Sequence, residues 1–236
     1  MLDSHIHLAR LPQAAEVCAD LKSLGYEAIS VACAPWEWVA NEKLIPIMGI
    51  AMTPTFGLHP MEIENAPEGW ESQISMYLTK YPNAWVGECG LDKRFPGYEK
   101  GGIQEAVFER QAKIALAYAR PLVIHCLGDY RRMFDILENV NYPKETSPIL
   151  LHRFGGDMEI VRRGIRMRAL FSIHADSIQN KSTREALRIV PRDLLRYETD
   201  ADETFVPRHF TTKKANPSEI AHRIMEELTS VTLDFI

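Results

Sequence analysis

The strongest constraint on the fold is an alternation, repeated along nearly the whole chain, between short apolar runs and segments with helical periodicity. The runs are four to eight residues long and rich in Val, Ile and Leu, which is typical of buried strands. Strands that alternate with helices predict right-handed crossover connections and a parallel sheet. The predicted strands cover residues 1–6, 28–33, 51–58, 84–88, 122–126, 149–152, 169–173 and 194–198.

The segments between these runs place apolar residues at helical spacing. The clearest are residues 103–119 and 129–140, and in the first of them Val107 and Ile114 share one stripe. Eight strands separated by helices predict closure into a (β/α)8 TIM barrel of the α/β class. No linker-like stretch or internal repeat interrupts the pattern, so we expect residues 1–236 to form a single domain. The other predicted helices cover residues 12–24, 69–80, 157–167, 181–190 and 217–229.

Composition limits the class of protein and its surroundings. No apolar run approaches the ~18 residues of a membrane-spanning helix, and the acidic Asp3 without an apolar segment after it argues against a signal peptide. The four cysteines form no CxxC pair, so we expect reduced thiols in a cytoplasmic protein with no membrane partner. The net charge of −5 disfavours a broadly basic surface, so an anionic substrate must be attracted locally.

Potential metal ligands lie at or just beyond the ends of the predicted strands. His5 and His7 alternate with Ile6, so a strand would turn both imidazoles to one face. Taken singly, a histidine at a strand end is often structural and an acid there often caps a helix. Together, four imidazoles and two carboxylates at the C-terminal mouth of one barrel suit two divalent cations that share a bridging carboxylate. These groups are His5, His7, Glu88, His125, His152 and Asp200.

Seven short stretches, in order along the chain, read DSHIHL, FGLHP, VGECGLD, QEAVFERQ, PLVIHC, LLHRFGG and YETDAD. In order and spacing they resemble the TatD family, metal-dependent deoxyribonucleases of the amidohydrolase-like TIM-barrel superfamily, over roughly residues 1–225. The resemblance implies a hydrolase that uses a metal-activated water, with two divalent cations (Zn²⁺, Mg²⁺ or Mn²⁺) as cofactors. It also implies DNA, single-stranded or at an end, as the substrate.

The resemblance assigns roles to individual residues. It implies that one cation is held by His5, His7, Glu88 and Asp200, and a second by Glu88, His125 and His152. Glu88 would then be the bridging ligand, and Asp200 could also act as the general base. His59 matches the family position near the scissile phosphate. Asp3 shares a strand face with His5 and is expected to orient an imidazole, with a plain turn acid as the alternative.

Several positions depart from the family pattern and concern the substrate. After the histidine of PLVIHC the family has Ser-Arg, whereas Cys126 and Leu127 stand here, so a cation expected to face phosphate is lost. Arg153, in LLHRFGG, and Arg94, one position earlier than the family's arginine, are the expected replacements, and we expect one of them to hold a non-scissile phosphate. In a strand Arg153 would point away from the metals, but RFGG is typical of a loop that returns it to the site.

Three classes of function are compatible with these residues. The leading one is a TatD-like deoxyribonuclease. The alternative is an amidohydrolase-type enzyme that acts on a small amide, ester or lactone, since the phosphate-facing arginine is lost and Asp202 and Glu203 add acid near the mouth. A non-enzymatic metal- or partner-binding barrel is disfavoured, because buried and unpaired ligands would cost stability.

Overall fold

Eight parallel strands pair with one another in chain order. In the computed structural model, which describes residues 1–142, 147–210 and 215–235, every predicted strand is present. The predicted (β/α)8 TIM barrel is therefore confirmed. The strands are β1 (Leu2–Ile6), β2 (Glu27–Ser30), β3 (Met52–Phe56), β4 (Trp85–Asp92), β5 (Leu122–Leu127), β6 (Ile149–Leu151), β7 (Leu170–Ile173) and β8 (Leu195–Tyr197).

The barrel closes where the segment after β8 returns to β1. The backbone N–H of Asp200 donates to the carbonyl oxygen of His5 at 3.0 Å. The N–H of His7 donates to the carbonyl oxygen of Ala201 at 2.9 Å. These bonds fasten the acidic loop after β8 to the two histidines of the first strand region.

Helices connect the strands and surround the sheet. Each predicted helix is present, and its ends lie within six residues of the predicted ones. Among the described residues, no helix combines the length and the hydropathy needed to cross a membrane. The helices are α1 (Ala14–Ser23), α2 (Pro35–Met48), α3 (Trp70–Lys80), α4 (Ile103–Ala117), α5 (Tyr130–Asn139), α6 (Met158–Arg166), α7 (Ala175–Gln179), α8 (Lys181–Leu187), α9 (Phe205–His209) and α10 (Pro217–Phe235).

Helix α2 is the longest element that sequence periodicity does not predict, and the short α7 and α9 are also unpredicted. Pro35 in its first turn suits a helix start. The buried face, however, places Glu37 and Asn41 beside Trp38, so polar residues break the apolar pattern. The Ser30 hydroxyl donates to Asn41 Oδ1 at 2.7 Å, which satisfies that buried amide. Tertiary hydrogen bonds therefore stabilise a helix whose face is not apolar throughout.

The buried apolar side chains form two clusters that support the mouth of the barrel. The larger contains side chains of β2 to β7 and the helices around them, such as Phe56, Phe108 and Phe171, which are fully buried. The smaller contains side chains of β1, α1 and α10, such as Val17 and Ile224. Burial of each large apolar side chain contributes about 1.5–3 kcal/mol to stability. These buried apolar side chains thus support the polar residues at the strand ends.

Candidate metal centre

The structure brings the six predicted metal ligands to one mouth of the barrel. Four of them stand at or just after a strand end, whereas Glu88 and His125 lie inside their strands, because β4 continues to Asp92 and β5 to Leu127. Gly90 permits this longer pairing, since a Cβ there would lie 1.9 Å from the carbonyl oxygen of His125. The expectation that Glu88 and His125 end their strands is therefore wrong. The six are His5, His7, Glu88, His125, His152 and Asp200.

Glu88 stands at the centre of this group, and each of its carboxylate oxygens faces a different pair of histidines. Oε2 lies 3.4 Å from His5 Nε2 and 3.8 Å from His7 Nε2. Oε1 lies 3.2 Å from His125 Nδ1 and 3.8 Å from His152 Nε2. A carboxylate placed in this way can bridge two cations, one on each side.

Asp200 adds a second carboxylate to the same group. Its Oδ1 lies 3.5 Å from His7 Nε2 and 3.8 Å from His5 Nε2. Its Oδ2 lies 3.9 Å from His152 Nε2. The residue has a left-handed backbone with φ of 50°, which aspartate tolerates better than most residues. Asp200 thus reaches three histidines from the loop after β8.

The buried histidines offer unpaired nitrogen atoms at this position. Neither ring nitrogen of His5 makes a hydrogen bond among the described residues, although the side chain is fully buried. His5, His7 and Asp200 form one triad with ligand atoms within 4.8 Å of one another, and His5, Glu88 and His152 form another. Both triads contain His5, and a divalent cation beside it would bind a ring nitrogen that otherwise stays desolvated without a partner. The residues therefore fit the implied cations.

Sequence reasoning missed three buried carboxylates that stand behind the histidines. Metal-binding histidines commonly donate their second ring N–H to such a group, which fixes the ring orientation. His125 Nε2 makes such a hydrogen bond with Asp92 at 2.8 Å. His152 Nδ1 lies 2.9 Å from Glu198 and His7 Nδ1 lies 3.8 Å from Glu37, close to a carboxylate but without a hydrogen bond. One signal was available, because Glu198 and Asp200 have the same two-residue spacing as His5 and His7.

Burial and charge together set the protonation of the carboxylates. Burial acts to raise the pKa of Glu88, but the facing His5 and His152 hold it well below its usual value. Burial also acts to raise the pKa of Asp200, and there again His152 lowers it. Burial raises the pKa of Glu198 to about 7, although His5 acts in the opposite direction. Both carboxylates that face the histidine pairs are therefore ionised near neutral pH.

Acid should destabilise the metal-free protein through its buried neutral histidines. Burial lowers the pKa of His59 to about 3 and that of His152 to about 4, from an ordinary value of 6.5. Below pH 6.5 the unfolded chain binds protons that the native chain does not bind. The free energy of unfolding should therefore fall by about 1.4 kcal/mol per pH unit for each histidine.

Urea denaturation of the metal-free protein between about pH 6.5 and about pH 4.5 measures this slope. His59→Asn should make the slope shallower by about 1.4 kcal/mol per pH unit, because one of the titrating groups is gone. An unchanged slope would mean that His59 takes up its proton in the native state.

Asp3 lies inside the barrel, and its contacts differ from the expected one. Its Oδ1 accepts from the backbone N–H groups of His5 at 3.1 Å and Thr199 at 3.2 Å. Its Oδ2 accepts from the hydroxyl of Thr199 at 2.5 Å and from that of Tyr26. Within the described parts of the chain, its partners are thus backbone and hydroxyl groups rather than an imidazole. Asp3 positions His5 through the backbone and ties β1 to the segment after β8.

The two arginines expected to bind phosphate are both paired with carboxylates. Arg94 donates from Nε to Asp92 Oδ1 at 3.0 Å and from Nη2 to Asp92 Oδ2 at 2.6 Å. Arg153, the second residue after β6, has a left-handed backbone with φ of 44°. Its Nη1 donates to Asp200 Oδ2 at 2.8 Å, and its Nη2 donates to Asp176. The loop therefore does return the Arg153 guanidinium to the site.

An open cavity of about 400 Å³ lies above the histidines. His59 lines it, with Nδ1 accepting from the backbone N–H of Met61 at 3.1 Å and Nε2 lying 4.0 Å from Glu88 Oε1. Arg94 and Arg153 line the same cavity. A small anion or the end of a chain can therefore approach Glu88 with cationic side chains beside it.

Relatives with known names share most of this chain. A family model described as TatD related DNase matches residues 2–233. The chain is 29% identical over 179 residues to the 3'-5' ssDNA/RNA exonuclease TatD of Citrobacter koseri. The matched region covers 71% of this chain and 66% of that protein. The chain is also 28% identical over 199 residues to the human 3'-5' RNA nuclease TATDN2. That matched region covers 81% of this chain and 25% of that protein.

A solved structure has the same fold. The crystal structure of YJJV, a TatD homolog from Escherichia coli K12, matches with a TM-score of 0.77 at 21% identity, over 98% of this chain and 90% of that one. By sequence, this chain spans 66% of the length of the Citrobacter relative and 25% of the length of the human one.

Proposed function

The chain belongs to the family of TatD-related DNases, and on that basis we propose that it is a metal-dependent deoxyribonuclease that cleaves phosphodiester bonds. The proposed substrate is DNA, single-stranded or presented as an end, since the Citrobacter relative is named a 3'-5' ssDNA/RNA exonuclease. The observation that carries the proposal is Glu88, whose two oxygens face two separate pairs of histidines. We further propose that residues 1–236 form one hydrolase domain that acts in the cytoplasm, in keeping with four unpaired and buried cysteines.

Two divalent cations, Zn²⁺, Mg²⁺ or Mn²⁺, are the proposed cofactors. By this assignment His5, His7 and Asp200 hold one, His125 and His152 hold the other, and Glu88 holds both. When bound, they would lower the pKa of a water molecule and offset the charge on a phosphate oxygen. Glu88 and Asp200 would neutralise only part of the positive charge of the two cations. The centre can therefore attract DNA to a chain whose net charge is −5.

Asp200 is the proposed general base. Its carboxylate is ionised and lines the cavity, but Arg153 Nη1 donates to Oδ2 at 2.8 Å. We propose that a substrate phosphate draws the Arg153 guanidinium away from Oδ2 through bidentate, charge-assisted hydrogen bonds. Oδ2 is then available to accept the proton of the attacking water. Substrate binding and base activation are thereby coupled through one side chain.

His59 and Arg94 are proposed to hold the substrate from the other side of the cavity. His59 Nε2 is directed toward Glu88 Oε1 at 4.0 Å, close enough for a phosphate oxygen at the centre to contact the ring. The pair between Arg94 and Asp92 uses Nε and Nη2, so Nη1 is the atom proposed to contact phosphate. Asp92 also bonds to His125 Nε2 at 2.8 Å, which links this arginine to a proposed metal ligand.

A small-molecule hydrolase of the amidohydrolase type is the second candidate. The observation that favours it is that the two arginines proposed to bind phosphate are paired with carboxylates, Arg94 with Asp92 and Arg153 with Asp200. Asp202 also lines the cavity and adds negative charge. A neutral amide, ester or lactone would not have to displace these ion pairs.

Loss of Arg153 should distinguish the two candidates. Arg153→Ala should lower kcat/KM on single-stranded DNA by roughly ten- to hundredfold, because a charge-assisted contact worth about 1.5–3 kcal/mol is removed. It should leave turnover of a neutral ester nearly unchanged. The matched control is Arg168→Ala, which removes an exposed arginine paired with Asp193 before β7, at the other end of the barrel. Equal and small effects of Arg153→Ala on both substrates would favour the small-molecule hydrolase.

The experiment that tests the proposed function compares substrates side by side. Protein reconstituted separately with Zn²⁺, Mg²⁺ and Mn²⁺ is incubated with a 5′-labelled single-stranded oligonucleotide and with a panel of neutral esters, amides and lactones. We expect a ladder of shortened DNA and far slower turnover of the neutral compounds. Intact DNA together with turnover of an ester, amide or lactone would overturn the proposal.

A further inference from the structure

A second group of potential ligands lies beside the proposed two-cation centre. His7 follows β1, Cys33 follows β2 and Glu37 lies in the first turn of α2. Their ligand atoms lie within 4.8 Å of one another, and all three residues are buried. His7 Nδ1 lies 3.8 Å from Glu37 Oε2. We name these three residues the Cys33 cluster. Of the three, only His7 takes part in the proposed hydrolysis.

Two atoms of the Cys33 cluster are buried without a hydrogen-bond partner. His7 Nδ1 and Glu37 Oε2 make none among the described residues, and their side chains are 8% and 0% exposed. Arg10 Nη2 donates to Glu37 Oε1 at 2.7 Å, which leaves Oε2 as the oxygen that faces the cluster. A buried polar atom without a partner costs about 1–3 kcal/mol. Both atoms carry lone pairs, which a cation placed between them would accept.

The thiol of Cys33 completes the group. Cys33 Sγ donates to Glu88 Oε2 at 3.4 Å, and Cys33 is only 2% exposed, so it sits against the proposed centre rather than in solvent. His7 stands between the two groups, because its Nε2 faces Asp200 while its Nδ1 faces the cluster. The cluster therefore presents one sulfur, one nitrogen and one oxygen, and it uses the ring nitrogen that the proposed centre does not.

We infer that His7 Nδ1, Cys33 Sγ and Glu37 Oε2 form a further binding site for a thiophilic divalent cation of the Zn²⁺ class. Cysteine sulfur, histidine nitrogen and glutamate oxygen are the three ligand types of Zn²⁺, and three protein ligands leave a fourth position open. Thiolate ligation selects against Mg²⁺ and Mn²⁺. Binding releases the Cys33 thiol proton to solvent. If both ring nitrogens of His7 bind cations, the ring proton is released as well. The inference does not require nuclease activity.

Cobalt supplies a direct readout of sulfur ligation. The metal-free full-length chain is titrated with Co²⁺, and the thiolate-to-Co²⁺ charge-transfer absorption in the near ultraviolet is recorded. We expect the band in the wild-type protein and its loss in Cys33→Ser. The matched control is Cys18→Ser, which changes a buried cysteine of α1 outside the cluster and should keep the band. Equilibrium dialysis against Zn²⁺ should show one cation fewer per chain in Cys33→Ser than in Cys18→Ser.

A second variant keeps the thiol and changes another ligand. Glu37→Gln should move the Co²⁺ titration of the band to higher concentration, so the test survives if Cys33→Ser does not fold. Bound Co²⁺ without the band in the wild type, or a band that persists in Cys33→Ser, would overturn the inference. A band in a protein that leaves DNA intact would overturn only the proposed function.

Discussion

Replacing Glu88 with alanine is expected to abolish hydrolysis of single-stranded DNA and to empty both halves of the proposed centre together. Each half loses a ligand, because Oε2 faces His5 and His7 while Oε1 faces His125 and His152. Metal ions contribute several kcal/mol of transition-state stabilisation. Since about 1.4 kcal/mol corresponds to tenfold in rate, we expect a loss of at least about a thousandfold in kcat.

Two measurements check this result on the same preparations. Metal content after reconstitution is measured by mass spectrometry, and kcat is measured on a labelled oligonucleotide. The matched control is Glu64→Ala, which removes an exposed glutamate and should change neither quantity. An unchanged metal content in Glu88→Ala would contradict the shared carboxylate.

Asp200→Asn should produce the second largest loss, about a hundred- to ten-thousandfold in kcat at saturating metal. Asparagine keeps the size of the side chain but carries no charge and cannot accept the proton of water. The native carboxylate has a depressed pKa, so it is ionised throughout the working range of pH. The loss should therefore persist at every pH at which the wild-type protein is active.

Asp202→Asn is the matched control for this variant. Asp202 lines the same cavity, and its Oδ1 accepts from the backbone N–H of Thr204 at 2.8 Å. Asp202→Asn should reduce kcat far less than Asp200→Asn, because it changes only the net charge near the mouth of the barrel. Turnover near the wild-type value in Asp200→Asn would show that Asp200 is neither a ligand nor the base.

The sequence alone predicts the barrel because its signals are local. Each strand is a short apolar run, and the spacing of His5 and His7 follows from the two-residue period of a strand. The topology of a (β/α)8 barrel then brings distant strand ends to one mouth. That is why the six predicted ligands, separated by up to 195 positions from His5 to Asp200, are found together.

The details that escaped prediction depend on contacts between elements. Glu37 and Asn41 lie on the buried face of α2, so the apolar period that reveals most helices is missing there. β4 runs past Glu88 because Gly90 lets β5 approach closely, which no pattern within the motif reveals. Cys33 reaches Glu88 from the segment after β2, whereas alternation along one strand relates only residues of that strand.

The substrate-binding side of the site illustrates a third limit. The position of Arg153 in a loop was predictable from RFGG, but its partners were not. Its guanidinium bonds to Asp200 and Asp176, which come from the segments after β8 and β7. Ion pairs of this kind depend on side chains that meet only in the folded chain.

The most direct test of the proposed two-cation centre titrates metal-free protein with Mn²⁺ and follows the cleavage rate of a 5′-labelled single-stranded oligonucleotide. Mn²⁺ is the appropriate cation because thiolate ligands disfavour it, which keeps the Cys33 cluster out of the titration. We predict no cleavage without metal and a rate that reaches its plateau at about two bound equivalents per chain. A plateau at one bound equivalent, or intact DNA with two equivalents bound, would contradict the centre described here.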